Sequence, residues 1–88
     1  MERSEATMPR YFFSLTNGKS TCHDFEGKEL PDDGAARRHA IDDARHLLRS
    51  RIAGVKAEDH WRVEVTDATG QMVMVVPFVE ASRVQYRR

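Results

Sequence analysis

The chain has 88 residues, of which 40% are hydrophobic and 32% are charged, a composition typical of one small globular domain. Fourteen basic and fourteen acidic residues leave no net charge, so no overall field favours nucleic acid or an anionic membrane as a partner. Cys22 is the single cysteine, which excludes an internal disulfide. The sequence shows neither an apolar signal segment nor a membrane span, so we expect a cytoplasmic protein with no membrane partner. We also expect no cofactor.

The first predicted element is a β-hairpin. Residues 11–16 are rich in aromatic side chains and lead into the dipeptide 17–18, Asn-Gly, which favours a type I′ turn because both positions take positive φ. With a two-residue turn, Phe13 pairs with Cys22 and shares a face with it. Phe12 then points to the opposite face, because successive strand residues alternate. We expect Cys22 to be a small buried side chain beside Phe13.

The second predicted element is an amphipathic helix over about residues 34–53. Apolar residues recur there at spacings of three and four, which gives one apolar stripe and therefore one covered surface. Asp32 or Asp33 caps its beginning by accepting hydrogen bonds from free backbone N–H groups. Gly54 ends the helix, because glycine readily takes the left-handed conformation that closes one.

Two further strands are predicted to form a second hairpin. Residues 61–67 alternate in polarity, which places Trp61, Val63 and Val65 toward the helix. Arg62, Glu64 and Thr66 are then expected to point away from it. Gly70 suits the left-handed position of the turn that follows. The last strand, residues 72–78, is apolar throughout, and such strands are normally buried on both faces.

The register of this last strand is open. Its apolar residues form two alternating rows, of which one faces the helix and the other faces away. The sequence does not decide between them, because the turn type sets the register. The two rows are Val73 with Val75, and Met72 with Met74, Val76 and Phe78.

Together these elements predict an α+β fold with the order ββαββ. Four strands form a mainly antiparallel sheet, and one helix covers one face. Residues 9–81 are expected to form this single domain, residues 1–8 a disordered extension and residues 82–88 a basic tail. The first and fourth strands are the most apolar, so we place them at the centre and predict the strand order 2-1-4-3.

Three pieces of the sequence resemble a known family. They are residues 8–13 (MPRYFF), residues 26–32 (EGKELPD) and residues 76–78 (VPF). Together they resemble a family of short bacterial proteins, found in rhizobia-like alphaproteobacteria, that is described only as a domain of unknown function. The resemblance spans about residues 8–78 and implies no catalytic or binding residue.

Two short patterns contain the residue types of reactive sites. Residues 22–24 place a thiol, an imidazole and a carboxylate in a row, but neighbours on a strand point to opposite faces and do not meet. His39, Asp43 and His46 lie along one side of the predicted helix at spacings that metal ligands use. A solvated helix face with a weak His39–Asp43 pair explains them better. We therefore predict no catalytic residue, no metal site and no enzyme activity.

The surplus of apolar strand surface predicts self-association. Whichever row of the last strand faces away from the helix joins Phe12 in an exposed patch, which soluble proteins avoid unless a partner covers it. The residues of this candidate self-association face are Phe12, Met72, Val73, Met74, Val75 and Val76. We predict a non-enzymatic protein-interaction module that forms a homodimer, with another protein as the second choice of partner.

The alternative is a small nucleic-acid-binding or regulatory protein. Arg38, Arg45 and Arg49 fall at helical spacing and would form a strip for phosphate groups. The zero net charge and the interleaved Asp42 argue against nucleic acid as the partner.

Overall fold

The computed structural model describes residues 8–50 and 60–83, without the side chains of residues 48–50 and 82–83. The predictions for the N-terminal extension, the end of the helix with Gly54, and residues 84–88 lie outside the described residues. The elements in chain order are β1 (Arg10–Thr16), β2 (Thr21–Cys22), β3 (Lys28–Glu29), α1 (Asp33–Ser50), β4 (Arg62–Thr66), β5 (Met72–Pro77) and α2 (Phe78–Arg83).

The strands form one antiparallel sheet beside helices, so the predicted α+β class is confirmed. The strand order is β2-β1-β4-β5, and β3 pairs with β1 as well. The predicted order, which put the fourth strand of the chain beside the first, is wrong, because β4 lies between β1 and β5. High apolarity led that prediction to place β5 at the centre. In the structure β5 is at the end of the ladder, and the apolar residues on its inner face are covered by helices. Those on its other face are exposed.

The turn of the first hairpin lies one residue later than predicted. Leu15, not Phe13, pairs with Cys22, so residues 18–19 form the centre of the turn. The side-chain oxygen of Asn17 accepts hydrogen bonds from the N–H groups of Lys19, at 2.9 Å, and Ser20, at 2.8 Å. This local bonding favours Asn17 as the first corner of the turn instead of a central position.

The apolar stripe of α1 packs on one face of the sheet, which we call the inner face. Ala36, Ala40 and Ala44 are fully buried, and their small side chains let the helix lie close to the strands. The predicted inward direction of Val63 and Val65 is confirmed, because both are fully buried. The rest of the buried core consists of Tyr11, Phe13, Ile41, Val76, Phe78 and Ala81.

The first turn of α1 is fixed by the two aspartates that precede and begin it. Asp32 Oδ1 accepts a hydrogen bond from the N–H of Ala35 at 2.9 Å, so Asp32 is the capping residue. Asp33 accepts the hydroxyl of buried Tyr11 at 2.7 Å. This hydrogen bond, together with burial and the negative charges of both aspartates, raises the pKa of Tyr11 to about 12. The bond ties β1 to the start of the helix.

A β-bulge at Val73 splits the predicted rows of β5. Met74 and Val76 lie opposite the two buried valines of β4 and point toward the helices. The register shifts by one residue at the bulge, so Met72 lies opposite an outward residue of β4, as does Val75. Neither predicted row faces inward as a whole, because the extra residue reverses the alternation along the strand.

The chain turns from strand to helix at Phe78, so the prediction of one helix missed α2. Phe78 and Ala81 are fully buried in the core, where α2 packs beside α1. The N–H of Phe78 donates to the carbonyl of Trp61 at 2.9 Å, which joins the start of α2 to the strand before it. The local signal in the sequence is Glu80, whose negative charge in the first turn favours the beginning of a helix.

The side chain of Asp24 pairs with the backbone at the edge of β1 that faces away from β4. β2 and β3 pair with opposite ends of β1 and leave the N–H of Phe13 between them. Asp24 Oδ2 accepts this N–H at 2.9 Å, while Oδ1 accepts the N–H groups of Glu26 and Gly27 at 3.1 Å each. Partial burial alone raises the pKa of Asp24, but these three hydrogen bonds and the nearby His39 outweigh it and lower the pKa.

Replacing Gly27 tests the close approach of this loop to β1. A Cβ at Gly27 would lie 2.8 Å from the carbonyl oxygen of Tyr11 and 2.9 Å from Cε2 of Phe12, and its φ is +72°. We expect Gly27→Ala to lower the free energy of unfolding by about 2 kcal/mol, from backbone strain and overlap together. In Gly18→Ala, the control, φ is +91° but no atom lies within 4 Å. Urea denaturation should therefore show a smaller loss of unfolding free energy in Gly18→Ala than in Gly27→Ala. Equal losses in the two variants would contradict the close approach.

Candidate functional site

The face of the sheet opposite the helices is the candidate binding surface, which we call the outer face. It consists of alternate residues from three neighbouring strands, while both described helices pack on the inner face. Residues at one level across the sheet are direct cross-strand neighbours. The three levels are Phe12, Thr66 and Met72; Ser14, Glu64 and Val75; and Thr16, Arg62 and Pro77.

Three of the six predicted self-association residues lie on the outer face. Met72 is 47% exposed and Val75 is 44% exposed, while Phe12 is half-buried. The apolar part of the outer face is therefore smaller than the sequence predicted. The other three predicted residues pack in or against the core: Val73, Met74 and Val76.

The middle strand of the outer face carries two opposite charges. Arg62 Nε lies 3.1 Å from Glu64 Oε2, and both side chains are partly buried. Their outward direction was predicted from the alternation of residues 61–67 and is confirmed by the pairing of β4. Their place on the middle strand of the face follows only from the observed strand order, so the sequence alone indicates no role for them.

A groove of about 350 Å³ borders the outer face between the loop at residues 23–25 and the turn at residues 67–70. Phe12 and Glu64 line it from the sheet side. Phe25, at its rim, is 86% exposed, which is unusual for so large an apolar side chain. Sequence reasoning missed Phe25, because a lone aromatic residue in a polar loop carries no periodic signal.

The fold brings together the two reactive patterns that the sequence kept apart. A cleft of about 390 Å³ lies between the edge of β1 and the side of α1. Residues of both patterns line it: Cys22, His23, Asp24, His39 and Asp43. His46 is exposed and does not line the cleft. Cys22, which was predicted to be buried, is exposed because it ends the short strand β2 at the sheet edge.

Three of the groups in this cleft already have partners. His39 Nε2 lies 3.4 Å from Asp43 Oδ2, and the His39 ring packs edge-on against Phe13 at 4.5 Å between ring centroids. Burial raises the pKa of Asp43, although His39 opposes the shift. Both oxygens of Asp24 accept backbone N–H groups, as described above. Within residues 8–50 and 60–83, no three His, Cys, Asp or Glu side chains gather closely enough to hold a metal ion.

The structure describes the side chains of two of the three arginines in the predicted strip on α1. Arg45 Nε donates to the carbonyl of Ala81 at 3.2 Å, so this guanidinium joins the two helices. Arg38 is exposed. The side chain of Arg49 lies outside the described residues. Whether the remaining arginines bind phosphate stays a prediction.

Comparison with known protein families gives one match. A family described as a domain of unknown function, DUF6894, matches residues 10–79, which is well over half of the chain. The chain belongs to this family. The match confirms the resemblance to a family of unknown function and covers all five strands together with α1.

No curated protein and no solved structure matches the chain. None of the helices in the described part of the chain is long and apolar enough to cross a membrane.

Proposed function

We propose that this chain is a non-enzymatic protein-interaction module that forms a homodimer through the outer face of its sheet. The observation that carries the proposal is the exposure of Met72 and Val75 beside half-buried Phe12 on a sheet whose described helices cover only the other face. Burial of apolar surface contributes about 25 cal/mol per Å², so covering these side chains favours association.

A second copy is the partner that the chemistry of the outer face favours. The chain carries no net charge, so two copies do not repel each other as a whole. Arg62 and Glu64 present both signs of charge side by side on the middle strand of the face. A two-fold dimer requires a surface that is complementary to itself, and paired opposite charges meet that requirement.

The size of the outer face sets the expected strength of the dimer. Three strands spaced about 4.8 Å apart, each with three outward residues about 7 Å apart, give a face of roughly 15 by 20 Å. This area, roughly 300 Å² per copy, is well below the roughly 800 Å² per partner of a standard interface. We therefore expect a weak, transient dimer, with a dissociation constant on the order of tens of micromolar.

Val75→Lys tests the proposal. Val75 lies beside Glu64 on the outer face and is 44% exposed, so a lysine there fits the monomer but puts a charge into the apolar part of the interface. We expect the dissociation constant to rise at least about tenfold, which corresponds to about 1.4 kcal/mol. Sedimentation velocity over concentrations from about 1 to 100 µM, which bracket the expected constant, measures the change.

Val79→Lys is the matched control. Val79 is 48% exposed, almost the same as Val75, but it lies on α2 in the helical layer. The control should keep the dissociation constant of the wild type. A wild type that stays monomeric over the whole range would contradict the proposal. So would a dimer that Val75→Lys leaves intact.

Further parts of the proposal concern the cellular location of the protein and its alternative partner. The exposed thiol of Cys22 suits a reducing compartment, which supports a cytoplasmic location. The bacterial origin implied by the sequence resemblance stays a prediction, as does the absence of a cofactor. Nucleic acid remains the alternative partner, and its binding would weaken steeply with salt because phosphate contacts release counterions.

A further inference from the structure

We infer that a second copy of the chain pairs with the open edge of β5, so that the sheets of two copies join into one continuous sheet. Within residues 8–50 and 60–83, β5 pairs with β4 alone and ends the strand order β2-β1-β4-β5. This edge contact is separate from the proposed contact between outer faces, because it uses backbone groups instead of the side chains of one face. The two contacts can therefore be tested independently.

The backbone groups that the edge offers follow from one hydrogen bond. The N–H of Phe78 donates to the carbonyl of Trp61 at 2.9 Å, so these two residues form a hydrogen-bonded pair of the antiparallel ladder. Hydrogen-bonded and non-hydrogen-bonded pairs alternate, so the backbone groups of Met74 and Val76 point toward β4. Those of Val75, between them, point away from β4. Val75 therefore presents an N–H and a carbonyl to the open edge.

The edge is open in its middle and interrupted at both ends. Proteins prevent pairing at an exposed edge with charged side chains, prolines and bulges. β5 carries no charged residue. Its bulge at Val73 interrupts one end, and Pro77, whose ring removes an N–H on the open side, interrupts the other. The stretch available for pairing is therefore short and centred on Val75.

A second β5 fits this stretch because the strand is complementary to itself. An antiparallel pair centred on Val75 of each copy has a two-fold axis normal to the sheet, and the two Val75 residues exchange both of their backbone hydrogen bonds. Met74 of one copy then lies opposite Val76 of the other. Val73 lies opposite Pro77, so the bulge and the proline interrupt the shared ladder at the same place.

The other edge of the sheet limits this pairing to two copies. There Asp24 Oδ2 accepts the N–H of Phe13, and the strands β2 and β3 have two residues each, which is too short for extended pairing. The contact through β5 uses the same surface on both copies, so it closes after one pair. We therefore expect a defined pair instead of a fibre.

Edge pairing also enlarges the surface for the proposed contact between faces. A two-fold axis normal to the sheet leaves both outer faces on the same side, so two faces of roughly 300 Å² form one of roughly 600 Å². This area approaches the roughly 800 Å² per partner of a standard interface. Two such pairs stacked face to face contain four copies. A foreign peptide at the edge would bring no second outer face, which favours a second copy as the occupant.

A nuclear Overhauser effect between the Hα atoms of Met74 and Val76 tests the edge pair without any substitution. Within one strand the Cα atoms of these residues lie about 7 Å apart, whereas across the pair they lie about 4.5 Å apart. A mixture of isotope-labelled and unlabelled chains isolates the contacts between copies. At about 500 µM, roughly ten times the expected constant, we expect the wild type to show this Overhauser effect.

Val75→Pro removes the N–H at the centre of the edge. Proline is tolerated where the N–H of an edge strand faces solvent, and it keeps an apolar side chain on the outer face. We expect the Overhauser effect to disappear, and the concentration at which four copies assemble to rise at least about tenfold in sedimentation equilibrium. Val75→Ala, the control, keeps the N–H and should keep the Overhauser effect. An Overhauser effect that survives Val75→Pro would overturn the edge pair.

Met72→Lys changes the outer face and spares the edge pair. Met72 is 47% exposed on the outer face and precedes the bulge, so it lies outside the stretch that pairs. A lysine there puts a charge into the contact between faces. We expect the assembly of four copies to require at least about tenfold more protein, while the Overhauser effect stays in place.

The outcomes separate the edge pair from the proposed function. A wild type that self-associates without the Overhauser effect would leave the proposed function standing and overturn the edge pair. A Met72→Lys variant that shows the Overhauser effect and assembles as readily as the wild type would leave the edge pair standing and overturn the contact between faces. A wild type that is monomeric at all concentrations would overturn both.

Discussion

Phe78→Ala is expected to lower the free energy of unfolding by about 3–5 kcal/mol, the usual cost of removing a buried phenylalanine ring. Phe78 is fully buried, and it begins the helix that packs beside α1. Its ring is part of the buried core, and alanine would leave a cavity there. Since domains of this size are stable by only about 5–15 kcal/mol, the loss is a large fraction of the total.

Urea denaturation at neutral pH measures this loss, with Val79→Ala as the control. Val79 is the next residue in α2 and is 48% exposed, so its replacement should change the free energy of unfolding by no more than about 0.5 kcal/mol. Losses of similar size in the two variants would show that Phe78 is not a core residue. The backbone hydrogen bond from Phe78 to Trp61 is retained in both variants, so the comparison isolates the side chain.

Asp24→Ala is expected to lower the free energy of unfolding by about 3 kcal/mol, because hydrogen bonds to a charged group contribute more than neutral ones. The change removes the acceptor for three backbone N–H groups, including the N–H of Phe13 between β2 and β3. Asp24→Asn should lose less, because the amide keeps one oxygen acceptor. Glu26→Gln, in the same loop, removes a charge but no acceptor of these bonds, so it should leave stability unchanged.

The pH dependence gives a second test of Asp24. Its pKa is lowered in the folded chain, so the unfolded chain takes up the proton first as pH falls. The stabilisation is therefore fully present above the ordinary aspartate pKa of about 3.9 and is lost as pH falls through the lower folded pKa. We expect the stability difference between wild type and Asp24→Asn to shrink over this acidic range. A difference that stays constant below pH 4 would contradict the role of the carboxylate.

Local chemistry made several elements predictable from the sequence. Asp32 caps α1 because a carboxylate just before an amphipathic helix can accept hydrogen bonds from the free N–H groups of its first turn. Gly70 has φ +89°, as expected of a glycine in the turn between two strands. The inward direction of Val63 and Val65 followed from strict alternation. In each case the deciding interactions lie within a few residues of one another.

Features that depend on distant contacts were missed. The bulge at Val73 has no local signal, because an apolar run reads the same in either register. The strand order was wrong because apolarity was taken to mean a central strand, whereas β5 is covered by α1 and α2 on one face. The role of Asp24 at the edge of β1 depends on a contact across eleven positions.

The candidate site was predictable only in part. Met72 and Val75 came from opposite predicted rows, and the bulge places them on one face with Phe12. Arg62 and Glu64 were correctly predicted to point outward. Their place on the middle strand of the face depends on the order β1-β4-β5, which the sequence did not predict. Which residues share the outer face follows only from the order and register of these three strands.

The most direct test of self-association through the outer face is the concentration dependence of backbone amide chemical shifts. The proposal predicts that dilution of the wild type from about 100 to 1 µM, across the expected constant, shifts the amide signals of Ser14, Glu64 and Val75. Signals from the exposed side of α1, such as Asp42, should stay in place. Shifts confined to the helices, or no shift at any position over this range, would contradict the account.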